Sequence, residues 1–284
     1  MNRIDVKELD LPELQIYASS SETQLLHYHE PDLGIFIAES LRVIGRALDA
    51  GYEPLSLLLE PGNLEATEGN VPERCGEVPV YVASADALSK LAGYKLTGGA
   101  LCAMRRKALR SPAEICAGAG RIAVMEGITN PTNVGAIFRS AAALGVEAVL
   151  MTPDCSDPLY RRAARVSMGT VFQIPWGFFA RRKKEQQLKA GREMKQPADV
   201  ALLKEMGYTT VAMALTDRSV SIADERLHHA EKLAIILGNE NNGLTEQTIE
   251  ACDYTVRIPM QNGVDSLNVA AASAVAFWEL CGKR

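Results

Sequence analysis

The chain has 284 residues, 47% of them apolar and 23% charged, with a formal net charge of −5. This is the composition of a soluble globular protein with one large or two ordinary domains, and its acidic balance does not announce a nucleic-acid partner. No apolar run reaches the roughly 18 residues that span a bilayer, and Met1-Asn2-Arg3-Ile4-Asp5-Val6-Lys7-Glu8 lacks the apolar core of a secretory leader, so a cytoplasmic chain without membrane contact is expected.

In chain order, Gly34-Ile35-Phe36-Ile37-Ala38-Glu39 leads into a helix whose apolar positions Leu41, Ile44, Ala47 and Leu48 follow helical spacing, ended by Gly51. Residues 55–59 read as a buried strand, 61–79 as loop, and 80–82 as a short strand. Ser84 caps a helix reaching about Leu91. Residues 100–104 make another strand. Residues 1–105 thus form a small alternating α/β domain, and 106–118, basic and then rich in Pro, Gly and Ala, form a linker. A second domain over 119–284 opens with a buried, parallel-type strand at 122–125. The pattern then predicts a helix at 132–144, a strand at 148–151, a helix near 160–166 and a strand at 170–174. A basic segment at 180–197 and a helix near 199–206 follow. Strands at 210–214 and 232–237, a helix at 245–251, a strand at 255–258 and a helix from Ser266 to about Cys281 complete the chain. Such alternation implies a mostly parallel sheet with helices on both faces.

Charge is unevenly spread. Residues 1–100 carry 7 Lys/Arg and 16 Asp/Glu, whereas the remainder carries 23 and 19. The clusters Arg105-Arg106-Lys107 with Arg110, then Arg161, Arg162 and Arg165, then Arg181-Arg182-Lys183-Lys184 are either solvated helix faces or local patches for a polyanion. The six cysteines (75, 102, 116, 155, 252, 281) include no C-x-x-C pair, so free thiols and no metal site are expected.

Three stretches place polar side chains where an apolar run meets a helical pattern, the joint at which α/β proteins bind ligands. The first is Asn130-Pro131-Thr132-Asn133-Val134-Gly135-Ala136-Ile137-Phe138-Arg139. Arg139, two residues past Ile137, points about 200° from that core position, so it is a solvent residue or a functional one. Asn133, near the helix start, is a cap or a site residue, and Gly135 permits close backbone approach. The second stretch is Leu237-Gly238-Asn239-Glu240-Asn241-Asn242-Gly243-Leu244. Gly238 can let a ligand lie against the chain, with Asn239 and Glu240 offering polar atoms; the alternative is a plain turn. The G-K-[ST] ending of a Walker loop and a G-x-G-x-x-G fingerprint are both absent. The third is Asp265-Ser266-Leu267-Asn268-Val269-Ala270, where Ser266 reads as the N-cap and Asn268 falls inside the first turn. Free N–H groups at such a start favour an anion. His27, His29, His228 and His229 stand beside no motif, and no G-x-S-x-G occurs. A site of Asn, Arg, Glu, Ser and Asn suits orientation of a substrate more than hydrolysis.

Together these motifs resemble those of the SpoU (TrmH-like) branch of the SPOUT superfamily of RNA methyltransferases. Asn133, Gly135 and Arg139 match the first motif, Gly238, Asn239, Glu240, Gly243 and Leu244 the second, and Ile258-Pro259-Met260 with Ser266-Leu267-Asn268-Val269-Ala270 the third. Arg162-Ala163-Ala164-Arg165-Val166-Ser167-Met168-Gly169 resembles the family's middle segment, and the likeness spans 120–284. Residues 1–105 resemble, more weakly, a small ribosomal-protein-like α/β/α domain that binds RNA substrate. The resemblance implies a C-terminal parallel-sheet domain tied in a deep trefoil knot. It implies S-adenosylmethionine held by Leu215, Gly238, Asn239, Ile258 and Leu267, and a homodimer. Arg139, Asn133, Glu240, Ser266 and Asn268 would form the catalytic set, with Arg139 and Asn133 beside the partner copy's cofactor or RNA. The implied reaction is methyl transfer to a ribose 2′-hydroxyl, of ribosomal more than transfer RNA, without a metal. The alternative is a non-catalytic RNA-binding relative, against which the intact Arg139, Glu240, Ser266 and Asn268 argue.

Overall fold

The computed structural model describes residues 2–6, 11–18, 21–28, 33–65, 70–94, 96, 98–181 and 196–282. The chain divides into two compact units. Met1–Ala108 with Pro158–Gln173 form the first, and Leu109–Asp157 with Ile174–Arg284 the second.

The first unit is built on a five-stranded sheet. Its strands are β1 (Asn2–Asp5), β2 (Ile35–Glu39), β3 (Pro54–Leu59), β4 (Pro79–Val82) and β5 (Ala100–Arg105), in the order β1-β4-β3-β5-β2. β4 lies parallel to β1 and β3, and β5 is antiparallel to β3 and β2. Leu14, Ile37, Leu58, Leu88 and Leu101 fill the core. The Ala85–Ala92 helix starts as expected at Ser84, whose hydroxyl accepts from the Ala87 N–H, and ends at Gly93 with φ of 76°.

Residues 158–173 return to this unit, and their side chains show why. The Arg161–Val166 helix brings Arg161 Nε and Arg165 Nη1 each to 3.1 Å from the carboxylate of Glu39, which is 1% exposed. The Tyr94 hydroxyl donates to the same carboxylate. A buried carboxylate requires such partners. Arg46 Nη1 donates to the Met168 carbonyl at 2.9 Å, and the Phe172 ring lies 5.7 Å from Phe36 and 5.3 Å from Tyr52. Within this segment the strand expected at 170–174 is absent. Gly169 takes φ of 83°, Thr170–Phe172 forms a single 3-10 turn, and the Thr170 hydroxyl donates to the Ser167 carbonyl at 3.0 Å. The strand forms only after Pro175.

Residues 106–118 are folded into the units rather than forming a free linker. Arg106 is buried and donates to the Ile35 carbonyl, while Lys107 donates to the Ala50 carbonyl and covers the Tyr52 ring. Ser111 and Glu114 make a capping box for the Pro112–Ile115 helix, and Ile115 enters the core of the second unit. Of the basic segment expected over 180–197, residues 182–195 lie outside the described residues.

The second unit has seven strands: β6 (Arg121–Met125), β7 (Ala148–Met151), β8 (Trp176–Phe178), β9 (Thr209–Met213), β10 (Val220–Ser221), β11 (Leu233–Leu237) and β12 (Tyr254–Arg257). They run β10-β12-β9-β11-β6-β7-β8, with every pairing parallel. All carboxyl ends therefore share one edge. The central β6 and β11 are buried along their whole length, as their unbroken runs require. The Pro131–Ala143 and Val269–Leu280 helices pack against each other. Five of the six cysteines are buried and all are unpaired. Among the described residues no helix is long and apolar enough to cross a membrane, and no three His, Cys, Asp or Glu side chains are grouped to hold a metal ion.

Candidate active site

β12, β9 and β11 are neighbours, and the turns leaving them open onto the same edge. They enclose a cleft of about 250 Å³. Its walls are residues 213–215 after β9, 237–240 after β11 and 256–258 at the end of β12, closed by Met260, residues 265–267, Val269 and Ala272. Leu215, Gly238, Asn239, Ile258 and Leu267 all line it, as do Glu240 and Ser266. The walls mix apolar surface with two carboxylates, Glu240 and Asp265, and one guanidinium, Arg257.

Beside this cleft the three motifs meet. Asn268 Nδ2 donates to Asn133 Oδ1 at 3.3 Å, and Asn133 Nδ2 donates to Glu240 Oε1. One residue from each motif thus joins a single hydrogen-bonded chain, although Asn133 is more than a hundred residues from the other two in sequence. The local reasons differ from those the sequence suggested. The helix begins at Pro131 and is capped by Asn130, whose Oδ1 accepts from the Thr132 N–H. This frees Asn133, in the first turn and 8% exposed, to face the other motifs. At the last helix Asn268 is itself the cap, accepting from the Ala270 N–H at 2.9 Å. Ser266 does not open the helix; it is exposed on the cleft wall two residues earlier. An asparagine cap here serves twice, since its oxygen holds the helix and its amide holds Asn133.

Two glycine and asparagine readings change. A Cβ on Gly238 would lie 2.4 Å from the Gly243 carbonyl carbon and from the Leu244 nitrogen. The bare side of Gly238 is filled by its own loop, not left open for a ligand, so Gly238→Val should disrupt the loop. Asn239 is 9% exposed, and its amide is already engaged: Nδ2 donates to the Gly127 carbonyl at 2.6 Å, while Oδ1 accepts from the Asn241 N–H. A backbone bridge between Asn239 and Gly243 closes the loop. Asn239 shapes the cleft wall, with its polar atoms turned to protein.

Arg139 stands apart. It is exposed, does not line its own chain's cleft, and among the described residues has no hydrogen-bond or ion-pair partner. Sequence reasoning missed Glu126, the residue after β6. Its carboxylate is 1% exposed and accepts from the Thr245 N–H at 2.6 Å, the Ala198 N–H at 2.8 Å and the Thr248 hydroxyl. The available signal was an acidic residue set between the apolar run 122–125 and Gly127-Ile128.

A parallel α/β sheet with a polar cleft at its carboxyl edge defines the class, and comparison with known proteins defines the family. The sequence model of the SpoU rRNA Methylase family matches residues 120–278. An uncharacterized tRNA/rRNA methyltransferase of Mycobacterium bovis is 37% identical over 255 residues, 88% of this chain and 83% of the relative. The 23S rRNA (guanosine-2′-O-)-methyltransferase RlmB of Acinetobacter baylyi is 28% identical over 212 residues, 73% of this chain and 79% of the relative. An AdoMet-bound rRNA methyltransferase from Sinorhizobium meliloti shares the fold with a TM-score of 0.76 at 22% identity, covering 98% of this chain and 97% of that one. The chain belongs to the SpoU rRNA methylase family, whose members are RNA methyltransferases.

Proposed function

We propose that this protein transfers the methyl group of S-adenosylmethionine to a ribose 2′-hydroxyl of structured RNA, ribosomal in preference to transfer RNA. The observation that carries the reading is the hydrogen-bonded chain Asn268–Asn133–Glu240 beside the cleft. It gathers the polar residues of three separate motifs at the carboxyl edge of a parallel sheet, where ligands bind. The residues present fit the cofactor. Leu215, Ile258 and Leu267 offer apolar walls to a nucleoside, and the Glu240 and Asp265 carboxylates suit a cationic ligand. Bound there, S-adenosylmethionine supplies an electrophilic methyl group.

Transfer needs the hydroxyl oxygen held about 3 Å from that methyl and a proton lost during attack. Arg139 binds the ribose hydroxyl and its neighbouring phosphate and stabilises the developing oxyanion. It is not the base, because a guanidinium stays protonated in proteins. The proton passes to a phosphate oxygen or to water. Asn133 holds Glu240, Asn268 holds Asn133, and together they set the shape of the cleft mouth.

Arg139 lies outside its own cleft, which supports a site shared by two copies of the chain. The Val269–Leu280 helix offers the surface for it: Val275 and Trp278 are 39% and 60% exposed. The knotted threading typical of the resemblance and an RNA-binding role for residues 1–105 belong to the same proposal. Arg106, Lys107, Arg161 and Arg165 already serve two carbonyls and the Glu39 carboxylate of the first unit, so RNA contacts there rest on other residues.

The deciding experiment incubates the protein with tritiated S-adenosylmethionine and ribosomal RNA from a strain lacking the gene. Incorporated label should sit at a linkage resistant to alkali, because a methylated 2′-oxygen cannot attack its phosphate. Label in alkali-sensitive positions, or none in ribosomal RNA, would refute the ribose assignment or the substrate.

A further inference from the structure

We infer that Glu126 is a positioning residue for the cofactor cleft, fixing the loop 238–245 that forms its wall; this rests on the placement of S-adenosylmethionine in that cleft. Residues 126 and 127 grip the loop at both ends. At its start, the Asn239 amide donates to the Gly127 carbonyl at 2.6 Å. At its finish, the Thr245 N–H donates to Glu126 Oε1 at 2.6 Å, and the Thr248 hydroxyl one turn later donates to Oε2. Between these two anchors the Asn239–Gly243 bridge closes the loop on itself. The Glu126 N–H continues the sheet by donating to the Leu237 carbonyl at 2.9 Å, and the Gly127 N–H is held by the Thr152 hydroxyl at 2.9 Å. The anchor is thus part of the central strands, while the loop it holds has Glu240 and Gly243 on the cleft side.

The chemistry explains a carboxylate. Its two oxygens face three donors, two of them backbone N–H groups that no side-chain rotation can remove. Glutamine offers one acceptor oxygen and two N–H bonds. In either orientation of its amide, one backbone N–H, of Thr245 or of Ala198, meets another donor and goes unsatisfied. Buried unpaired donors are costly, so the loop end and the Ala198 segment should be released one against the other. Aspartate is one methylene shorter and cannot reach both sides.

The test measures S-adenosylmethionine affinity by calorimetry and amide hydrogen exchange in the cofactor-free protein. Glu126→Gln should weaken binding at least tenfold and speed exchange of the 239–245 amides. Thr248→Val removes one donor and leaves both backbone N–H groups paired, so it should weaken binding less, about two- to fivefold. Tyr208→Phe serves as control. It deletes the bond from the Tyr208 hydroxyl to the Ala119 carbonyl at the opposite, amino end of β9, so it should lower the melting temperature without changing affinity. Parental affinity and exchange in Glu126→Gln would overturn the inference. So would an equal loss of affinity in Tyr208→Phe, because the effect would then be general destabilisation. If Glu126→Gln does not fold, Thr248→Val decides: weaker binding supports the role and parental binding refutes it. Fast loop exchange in Glu126→Gln of a parent that binds no cofactor would refute the cleft's ligand and, with it, the positioning role toward that ligand.

Discussion

A single arginine divides what the residues themselves reveal from what needs a second molecule. The helical angle from Ile137 already placed Arg139 off the core stripe, and it is exposed without a partner among the described residues. Its loss should therefore change stability by less than about 0.5 kcal/mol, as for ordinary surface positions. Lysine keeps the charge but not the planar fork. Arg139→Lys should fold and bind S-adenosylmethionine normally, yet lose methyl transfer on the order of a hundredfold, the cost of removing an oxyanion donor. Near-parental transfer rates for Arg139→Lys and Arg139→Ala would reduce this residue to surface. The other site residues were legible as a set but not in their parts. Asn133 and Asn268 read as a cap and an interior residue; the structure reverses them, because Pro131 shifts the first helix start to Asn130 and the last helix begins at Val269. For Glu126 the sequence marked only its place between an apolar run and Gly127; its role was not legible, because its three donors come from segments about 70 and 120 residues away.

At the scale of elements, strands built from unbroken apolar runs were found in place, and errors gathered where a turn residue decides the outcome. All but Gln173 of the residues expected as a strand at 170–174 are β-branched or aromatic, yet Gly169 and the Thr170 hydroxyl fold Thr170–Phe172 into a turn. β10 is too short, with two residues, to leave any period. Asp253 illustrates how elements are tied. Oδ2 accepts from the N–H and hydroxyl of Thr210 at 2.8 Å each, and Oδ1 lies 2.8 Å from Lys204 Nζ. One carboxylate thus fastens the start of β12 to β9 and to the Val200–Glu205 helix. Burial alone would raise its pKa, but Lys204 and Thr210 outweigh that and hold it below the usual 3.8. A folded pKa below the unfolded one gives stability that is present above about pH 4 and fades as pH falls through the folded value. Asp253→Asn keeps one oxygen for both Thr210 donors but turns its amide nitrogen to Lys204, so it should cost about 0.5–1 kcal/mol at pH 7 through the lost ion pair. Urea midpoints at pH 7 and pH 3 should show that gap narrowing in acid; a gap independent of pH would remove the carboxylate from this role.

For the whole molecule the last helix matters most. It is apolar on nearly every face. Ala276, Phe277 and Leu280 are buried, whereas Val275 and Trp278 are exposed. A helix apolar all round is normally covered all round. A second copy of the chain, packed with two-fold symmetry, is the proposed cover. Trp278→Glu should then convert the dimer to monomer at micromolar concentration, since losing an interface tryptophan typically costs about 2 kcal/mol or more. Sedimentation would show it, and methyl transfer should fall with the dimer even though the cleft is untouched. A parent that sediments as a monomer, or a variant that stays dimeric and active, would exclude the shared site.

The return of residues 158–173 to the first unit sets a timetable for synthesis. The chain passes between the units at 108–109, 157–158 and 173–174, so the first unit is still missing a piece when residue 108 leaves the ribosome. Until residues 158–173 have been made, Glu39 has neither Arg161 nor Arg165, and Phe36 lacks the Phe172 ring. That leaves the Tyr94 hydroxyl beside Glu39 without either arginine, and a core carboxylate stripped of its cations is strongly destabilising. The amino-terminal unit should therefore wait, half-collapsed, for its own later segment, and the order of folding should run against the order of translation. A 1–108 fragment should show little cooperative unfolding by circular dichroism, and a peptide of residues 158–173 should restore it; a fragment that unfolds sharply alone would mean the segment is an ornament rather than a keystone.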